Sequence, residues 1–206
     1  MVTSNGSFNF VAGLNRLAKY VNKEDMLEHA AKRERILLRT LRFPKPTTPI
    51  FERSNTTECI FAKHTLIRSP VRNKVAVTTT GDGNCLFHAL SLVMYGTEDY
   101  TLQIKLMTAI AMVLQKSTIK KLFDLHCLQF VDADYKSALV DILTPGAWAS
   151  SWHITAASVA LDKPITSIYP KMNSAKEPAS QGYQHAKFFI RKEQPGTIVY
   201  SLDRAT

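Results

Sequence analysis

One cysteine of this 206-residue chain stands where a thiol can act as a nucleophile. Cys85 follows Gly81-Asp-Gly-Asn84, whose glycines and Asn tolerate turn conformations, and it opens an apolar run that ends at Gly96. The pattern predicts a tight turn leading into a helix. The N–H groups and dipole at a helix N-terminus favour a thiolate and stabilise an oxyanion beside it. We therefore predict covalent catalysis by Cys85, with Asp82 fixing the turn through backbone amides.

A simpler interpretation makes Cys85 a small buried apolar residue, with Asn84 or Asp82 serving only as the helix cap. The other two cysteines carry no such pattern: Cys127 lies on an apolar helical stretch and Cys59 in a loop. Three widely spaced cysteines without a metal-binding doublet are typical of a reducing compartment. We expect an intracellular protein, cytoplasmic or nuclear, without a metal or cofactor and without membrane association.

The elements that must position Cys85 follow from periodicity. Apolar residues at three- and four-residue spacing predict helix over 15–42, with a break near Asn22, and a loop follows to residue 74. The β-branched stretch 75–79 predicts a strand. Further helices are predicted for 85–95, from residue 97, for 122–130, for 135–143 and from Ser150 or Ser151 to 161, and further strands for 164–169, 186–191 and 197–202. The order predicts an α/β or α+β domain.

The net charge of +9 lies almost entirely in the first third of the chain. Residues 1–74 carry +8 and residues 75–206 carry +1. A cluster of cations on the predicted N-terminal helix is suited to contact phosphates: Lys32, Arg33, Arg35, Arg39 and Arg42. Aromatic residues are sparse there and no DNA-binding motif is present. A solvated helix face is the alternative interpretation.

The segment Gly81-Asp-Gly-Asn-Cys-Leu-Phe-His-Ala-Leu90 resembles the signature of the ovarian-tumour (OTU) cysteine proteases, with His88 departing from its commonest form. The stretch from Gly146-Ala-Trp148 to Tyr169 resembles a second block of that family. Its details are more similar to divergent OTU-like domains of the vertnin-type and transposon-associated kind. The resemblance implies a papain-like α/β fold, a small central sheet flanked by helices.

The resemblance also implies an activity, namely cleavage of isopeptide or peptide bonds after ubiquitin. Cys85 is then the nucleophile, Asp82 helps to form the oxyanion hole with the Cys85 amide, and Gly83 and Asn84 complete the turn. The alternative is a catalytically inactive OTU-like module that binds ubiquitin or a ubiquitin-like protein.

The resemblance covers residues 75–206, and we expect residues 1–74 to form a basic, partly helical extension and linker. A thiol protease needs an imidazole as its base, which in this family follows the last core strand. We expect the domain to end before that segment. His185 is the candidate substitute base, with a solvated loop histidine as the alternative. His88 lies one helical turn from Cys85, and His153 is expected to pack in the core.

Overall fold

The computed structural model describes residues 8–41, 79–125, 134–168, 187–188 and 198–201. Seven helices and three strands lie in this part of the chain. The helices are α1 Phe10–Lys19, α2 Glu24–Arg39, α3 Cys85–Tyr95, α4 Thr101–Leu114, α5 Lys116–Leu125, α6 Tyr135–Leu143 and α7 Ser151–Leu161. The strands are β1 Ile165–Ile168, β2 Lys187–Phe188 and β3 Ile198–Ser201.

The first two helices form the predicted helical stretch with its predicted break. Asn9 caps α1 by accepting a hydrogen bond from the Ala12 amide at 2.9 Å. Residues 20–23 separate α1 from α2. A bidentate pair joins the two helices, because Arg16 donates from Nε and Nη2 to the buried Glu34 carboxylate at 2.7 and 2.9 Å.

Helix α4 lies at the centre of the described structure. It is buried along nearly its whole length, and its polar residues Gln103, Lys105 and Thr108 are buried as well. A helix buried on all sides needs neighbours around it. Helix α4 accordingly contacts α1, α2, α3, α5, α6 and α7. Leu102, near its start, is exposed.

The three strands form one small sheet in the order β2-β1-β3. Strand β1 pairs antiparallel with β2, with Ile165 opposite Phe188, and parallel with β3, with Ile165 opposite Ile198. The sheet contacts α3 through β3, and α7 through β1 and β2. The short strands therefore lie beside the two helices that begin at Cys85 and Ser151.

The predicted fold class, an α/β (α+β) papain-like domain with a small central sheet flanked by helices, is wrong for the described residues. The buried apolar core comes from the seven helices, and Ile165 is its one strand residue among those whose burial is described. Strands of four, two and four residues are too short to serve as a central layer. Helix α4 occupies that place instead.

The N-terminal helices α1 and α2 pack into the same core as the later helices. Leu14 and Leu17 of α1 and Leu27 and Leu38 of α2 belong to the same apolar cluster as α4. The division of the chain near residue 74 stays a prediction, since residues 42–78 lie outside the described part. The strand predicted at 75–79 falls there too, apart from Thr79. No helix among the described residues is long and apolar enough to cross a bilayer.

Candidate active site

Cys85 is the first residue of α3, as the sequence predicted. The Asn84 carbonyl accepts hydrogen bonds from the amides of Phe87 and His88 at 2.8 and 3.0 Å, which starts the helix at the cysteine. The Cys85 side chain is half-buried. Its position places the sulfur at the positive end of the helix dipole, where negative charge is stabilised.

The turn before Cys85 is closed by the Asp82 carboxylate. Asp82 Oδ1 accepts a hydrogen bond from the Asn84 amide at 2.8 Å, and Oδ2 accepts one from the Asn84 side-chain Nδ2 at 3.1 Å. Gly83 between them has a φ of +85°, a backbone conformation that favours glycine. Asp82 thus makes the backbone contact that its place in the sequence predicted.

A second glycine-containing loop holds the turn from the other side. A Cβ on Gly83 would overlap the backbone carbonyl of Gly146, so the two backbones are in direct contact. Gly146 belongs to the Thr144-Pro-Gly146 segment that follows α6. The contact joins the two stretches of sequence in which the family resemblance was found, and it explains why a side chain is excluded at Gly83.

His88 connects the turn to the start of α4. Its Nε2 lies 3.1 Å from Asp82 Oδ1, and its Nδ1 lies 2.9 Å from both Thr101 Oγ1 and Glu98 Oε2. Glu98 in turn accepts hydrogen bonds from the amide and hydroxyl of Thr80 at 3.0 and 2.6 Å. Both ring nitrogens of His88 therefore face oxygen atoms of the site's framework.

The electrostatics of Asp82 follow from these contacts. Burial by itself raises the pKa of Asp82, but the hydrogen bonds from Asn84 and the neighbouring His88 outweigh it and hold that pKa below its ordinary value. The carboxylate stays ionised at neutral pH. The turn before Cys85 is therefore closed by a negative charge.

Lys105 is a member of the site that sequence reasoning missed. Its ammonium donates to Asn84 Oδ1 at 2.7 Å and to the Thr144 carbonyl at 3.4 Å, and the residue is 4% exposed. Burial lowers the pKa of Lys105, while the Asp82 charge opposes that shift. A lysine in the middle of Gln103-Ile-Lys-Leu106 was the available signal, because it interrupts an apolar helix.

His153 packs in the core, as expected. Its Nδ1 accepts a hydrogen bond from the Ser150 amide at 2.7 Å, and its Nε2 donates to the Ala138 carbonyl at 2.8 Å. Burial lowers the pKa of His153 to about 4, so the ring is neutral at physiological pH. Trp152 beside it is buried, whereas Trp148 is 58% exposed. His153 fixes the start of α7.

The structure brings together Asp82, Gly83, Asn84 and Cys85 from the predicted site residues. The candidate substitute base, His185, lies outside the described residues, as do Cys59, Cys127 and Arg42. The remaining cations of the predicted basic cluster are exposed on α2, and Lys32 pairs with Glu28 at 2.6 Å: Lys32, Arg33, Arg35 and Arg39. They lie on a different helix from the cysteine.

Comparison with known proteins gives one family match and a similar solved structure. The family model described as "Vertnin, OTU domain" matches residues 76–121, which include the turn, α3 and α4. One similar solved structure, titled "Structure of OTUD1 OTU domain", is 20% identical with a TM-score of 0.44, and the match covers 63% of this chain and 79% of that chain. No curated protein matches.

A cysteine at a helix N-terminus behind a clamped Asp-Gly-Asn turn lies where the helix dipole favours a thiolate. Residues 76–121 of this chain are similar to the OTU domain of the vertnin family. The resemblance of the Gly81–Leu90 segment to the OTU signature is thereby confirmed.

Proposed function

We propose that this protein is an OTU-like cysteine hydrolase that cleaves isopeptide or peptide bonds after ubiquitin, with Cys85 as its nucleophile. The observation that carries the proposal is the position of Cys85 at the first residue of α3, behind a turn closed by Asp82 within the segment that the OTU family model matches. A buried structural cysteine does not require this clamped turn.

The chemistry assigned to Cys85 is acyl transfer. The thiolate attacks the C-terminal carbonyl carbon of ubiquitin, a C–S bond forms, and collapse of the tetrahedral intermediate breaks the C–N bond. The leaving amine takes up a proton from a general acid, and water then hydrolyses the thioester to release the carboxylate and restore the thiol. Amides at the start of α3 face the developing oxyanion, and Asp82 acts by holding their turn in shape.

The proton acceptor is the open part of the proposal. Among the described histidines, His29 is exposed on α2 and takes no part in the turn before Cys85. The other two are held in place: His153 is buried with both ring nitrogens bonded to backbone, and His88 is engaged by Asp82 and by Thr101 with Glu98. Neither has a nitrogen directed away from the framework of the site. His185 remains the proposed substitute base on its place in the sequence alone.

Turnover of a fluorogenic ubiquitin C-terminal amide tests the activity. The full chain is expected to release the fluorophore, and Cys85→Ala is expected to abolish release. Cys59→Ala, which alters a cysteine outside the motif, is the matched control and should retain the rate of the unsubstituted chain. Equal rates in the unsubstituted chain and in Cys85→Ala would overturn the proposal. No release by a folded chain would favour the alternative, an OTU-like module that binds ubiquitin without cleaving it.

A second candidate function rests on the exposed cations of α2. Lys32, Arg33, Arg35 and Arg39 are exposed on one helix, and we propose that they contact nucleic acid phosphates. The contact with Glu28 neutralises part of this face, which favours weak binding without sequence preference. Binding of the full chain to duplex DNA should weaken steeply between low and moderate salt, and salt-independent binding would contradict the electrostatic account.

A further inference from the structure

A buried ammonium lies directly behind the proposed nucleophile's turn. Lys105 projects from the central helix α4 and is 4% exposed. Its Nζ reaches Asn84 Oδ1 at 2.7 Å and the Thr144 carbonyl at 3.4 Å, and it lies 5.8 Å from the centre of the Phe87 ring. Removing an ammonium from water is costly unless it is paired and hydrogen-bonded, so these contacts account for its retention in an apolar helix.

The contacts of Lys105 connect parts of the site that are far apart in the sequence. Asn84 immediately precedes Cys85, and Thr144 begins the loop whose Gly146 contacts Gly83. The same Asn84 carboxamide donates from Nδ2 to Asp82 Oδ2 and accepts from Lys105. Asp82, Asn84 and Lys105 therefore form a chain of hydrogen bonds from anion to amide to cation, and this chain fixes the residue that caps α3.

The charged groups around this chain are few. Asp82 faces Lys105 and stabilises its ammonium form, and on the side of α7 the neutral His153 lies close enough to feel the Lys105 charge. His88 and Glu98 lie on the other side of Asp82. Lys105 is the cation hydrogen-bonded to the turn among the described residues.

We propose that Lys105 is a positioning residue of the Cys85 site: acting through Asn84, it holds the turn against the Thr144–Gly146 loop. The inference rests on the proposed function insofar as it gives the thiolate a role in catalysis. Its test does not depend on ubiquitin, since it measures the reactivity of the thiol toward a small electrophile.

The experiment is the pH profile of Cys85 alkylation by iodoacetamide in the full chain, read by mass spectrometry on the Cys85 peptide. Lys105→Met removes the charge and keeps most of the side-chain length. It is expected to slow alkylation of Cys85 near pH 7 roughly tenfold, because the turn that positions the thiol loses its support. Lys105→Arg retains the charge and should restore part of the reactivity.

The matched control is Gln103→Met on the same helix. Gln103 is as buried as Lys105, and its Nε2 contacts Met107 Sδ at 3.9 Å rather than the turn. It should leave the alkylation profile unchanged, so a general loosening of α4 is separated from the loss of the ammonium. A folded Lys105→Met variant with the profile of the unsubstituted chain would overturn the inference.

A second variant covers the case in which Lys105→Met fails to fold. Asn84→Ala breaks the link between the ammonium and the turn without changing α4, and slower alkylation of Cys85 is expected here as well. An unchanged profile in folded Asn84→Ala overturns the inference as well. If the variants change the alkylation profile but the chain does not cleave after ubiquitin, the proposed function is overturned and this inference stands. If the chain cleaves after ubiquitin and the variants leave the profile unchanged, this inference is overturned and the proposed function stands.

Discussion

At the scale of single residues, the site depends on how each titratable group is held. Asp82 closes the turn through three contacts, and His153 joins the start of α7 to α6 through two. One group is an anion kept ionised and the other is an imidazole kept neutral. The contributions of Asp82 and His153 to the stability of the fold therefore depend on pH in ways that can be measured separately.

The Asp82 carboxylate should contribute stability that acid removes. Because its folded-state pKa is depressed, its contribution is present above the ordinary value of 3.8 and is lost as the pH falls through the folded-state value. With the side chain 48% exposed, we expect Asp82→Asn to cost only about 1 kcal/mol at pH 7. In urea denaturation, the difference in unfolding free energy between the two proteins should narrow as the pH falls below 3.8, the ordinary pKa.

The capping carboxylate Asp134, whose pKa is also depressed through bonds from Ser137 and Lys136, is the comparison group for this measurement. For Asp134→Asn, the difference in unfolding free energy from the unsubstituted chain should also narrow in acid, because the pKa of Asp134 is depressed as well. Asp134 caps α6 and is distant in sequence from the turn. A gap for Asp82→Asn that stays constant over the pH range would contradict the assigned role of the Asp82 charge.

His153 should make the fold sensitive to mildly acidic pH. The unfolded chain protonates this ring below its ordinary pKa of 6.5, whereas the folded protein resists protonation down to about pH 4. Stability should therefore fall as the pH drops from 6.5 toward 4, by up to about 3 kcal/mol. His153→Gln, which retains an acceptor and a donor, should flatten this dependence in urea denaturation. His29→Gln, on the exposed side of α2, should leave the dependence in place.

At the scale of elements, the site is assembled where the α3 turn meets the loop after α6. Both segments have a glycine with positive φ, Gly83 at +85° and Gly146 at +72°, but their surroundings differ. A Cβ on Gly83 overlaps the Gly146 carbonyl, whereas a Cβ on Gly146 would meet Asp82 O at an ordinary 3.8 Å. The two positions therefore form a natural pair for substitution.

Gly83→Ala should disrupt the site much more than Gly146→Ala. The first change meets both an unfavourable φ and a backbone overlap, so we expect at least a tenfold loss of Cys85 alkylation rate together with lower stability. The second meets the unfavourable φ alone and should cost about 1–2 kcal/mol. Thermal unfolding and peptide-resolved alkylation measure both effects. Equal losses of reactivity in the two variants would argue against the close contact between the backbones.

The sequence was sufficient for most elements and for the turn. Asn-Cys followed by an apolar run predicted α3, and Gly96, which has a φ of +77°, ends it as expected. Of the two predicted starts of α7, Ser150 or Ser151, the N-cap is Ser150. Local signals determine such features. Lys105 was missed because its partners, Asn84 and Thr144, are 21 and 39 residues away, and spacing along one helix carries no information about them.

At the scale of the whole molecule, the element at the centre of the described residues is a helix and not a sheet. The prediction of a sheet-centred fold came from the family resemblance and from four predicted strands. Three of these, at 164–169, 186–191 and 197–202, overlap the strands β1, β2 and β3. The length of α4 and its burial on all sides determine the architecture instead. Because α1 and α2 pack on α4, the basic N-terminal helices contribute to the same core as the candidate active site.

Because the core is shared, a destabilising substitution in α1 should also lower the stability of the helices on the other side of α4. Leu17 in α1 is fully buried, and Leu17→Ala should lower the free energy of unfolding by about 2–5 kcal/mol. Trp152 reports from α7, where it is buried and stacked on Phe123 with ring centres 3.4 Å apart. In Leu17→Ala, the urea midpoint measured by Trp152 fluorescence should shift as far as the midpoint measured by far-UV circular dichroism.

Val11 supplies the control for this experiment. It lies on the same helix and is 48% exposed, so Val11→Ala should move neither midpoint appreciably. A Trp152 midpoint that stays in place while the helical signal of Leu17→Ala shifts would mean that α1 unfolds independently of the core.

Covalent labelling by a ubiquitin probe with a thiol-reactive C-terminus tests the central claim most directly, because it requires the nucleophile but not completed turnover. We expect the folded chain to gain the mass of one probe, with the modification mapped to Cys85, and the Cys85→Ala variant to remain unlabelled. A folded chain that stays unlabelled, or labelling that persists in Cys85→Ala, would contradict the account.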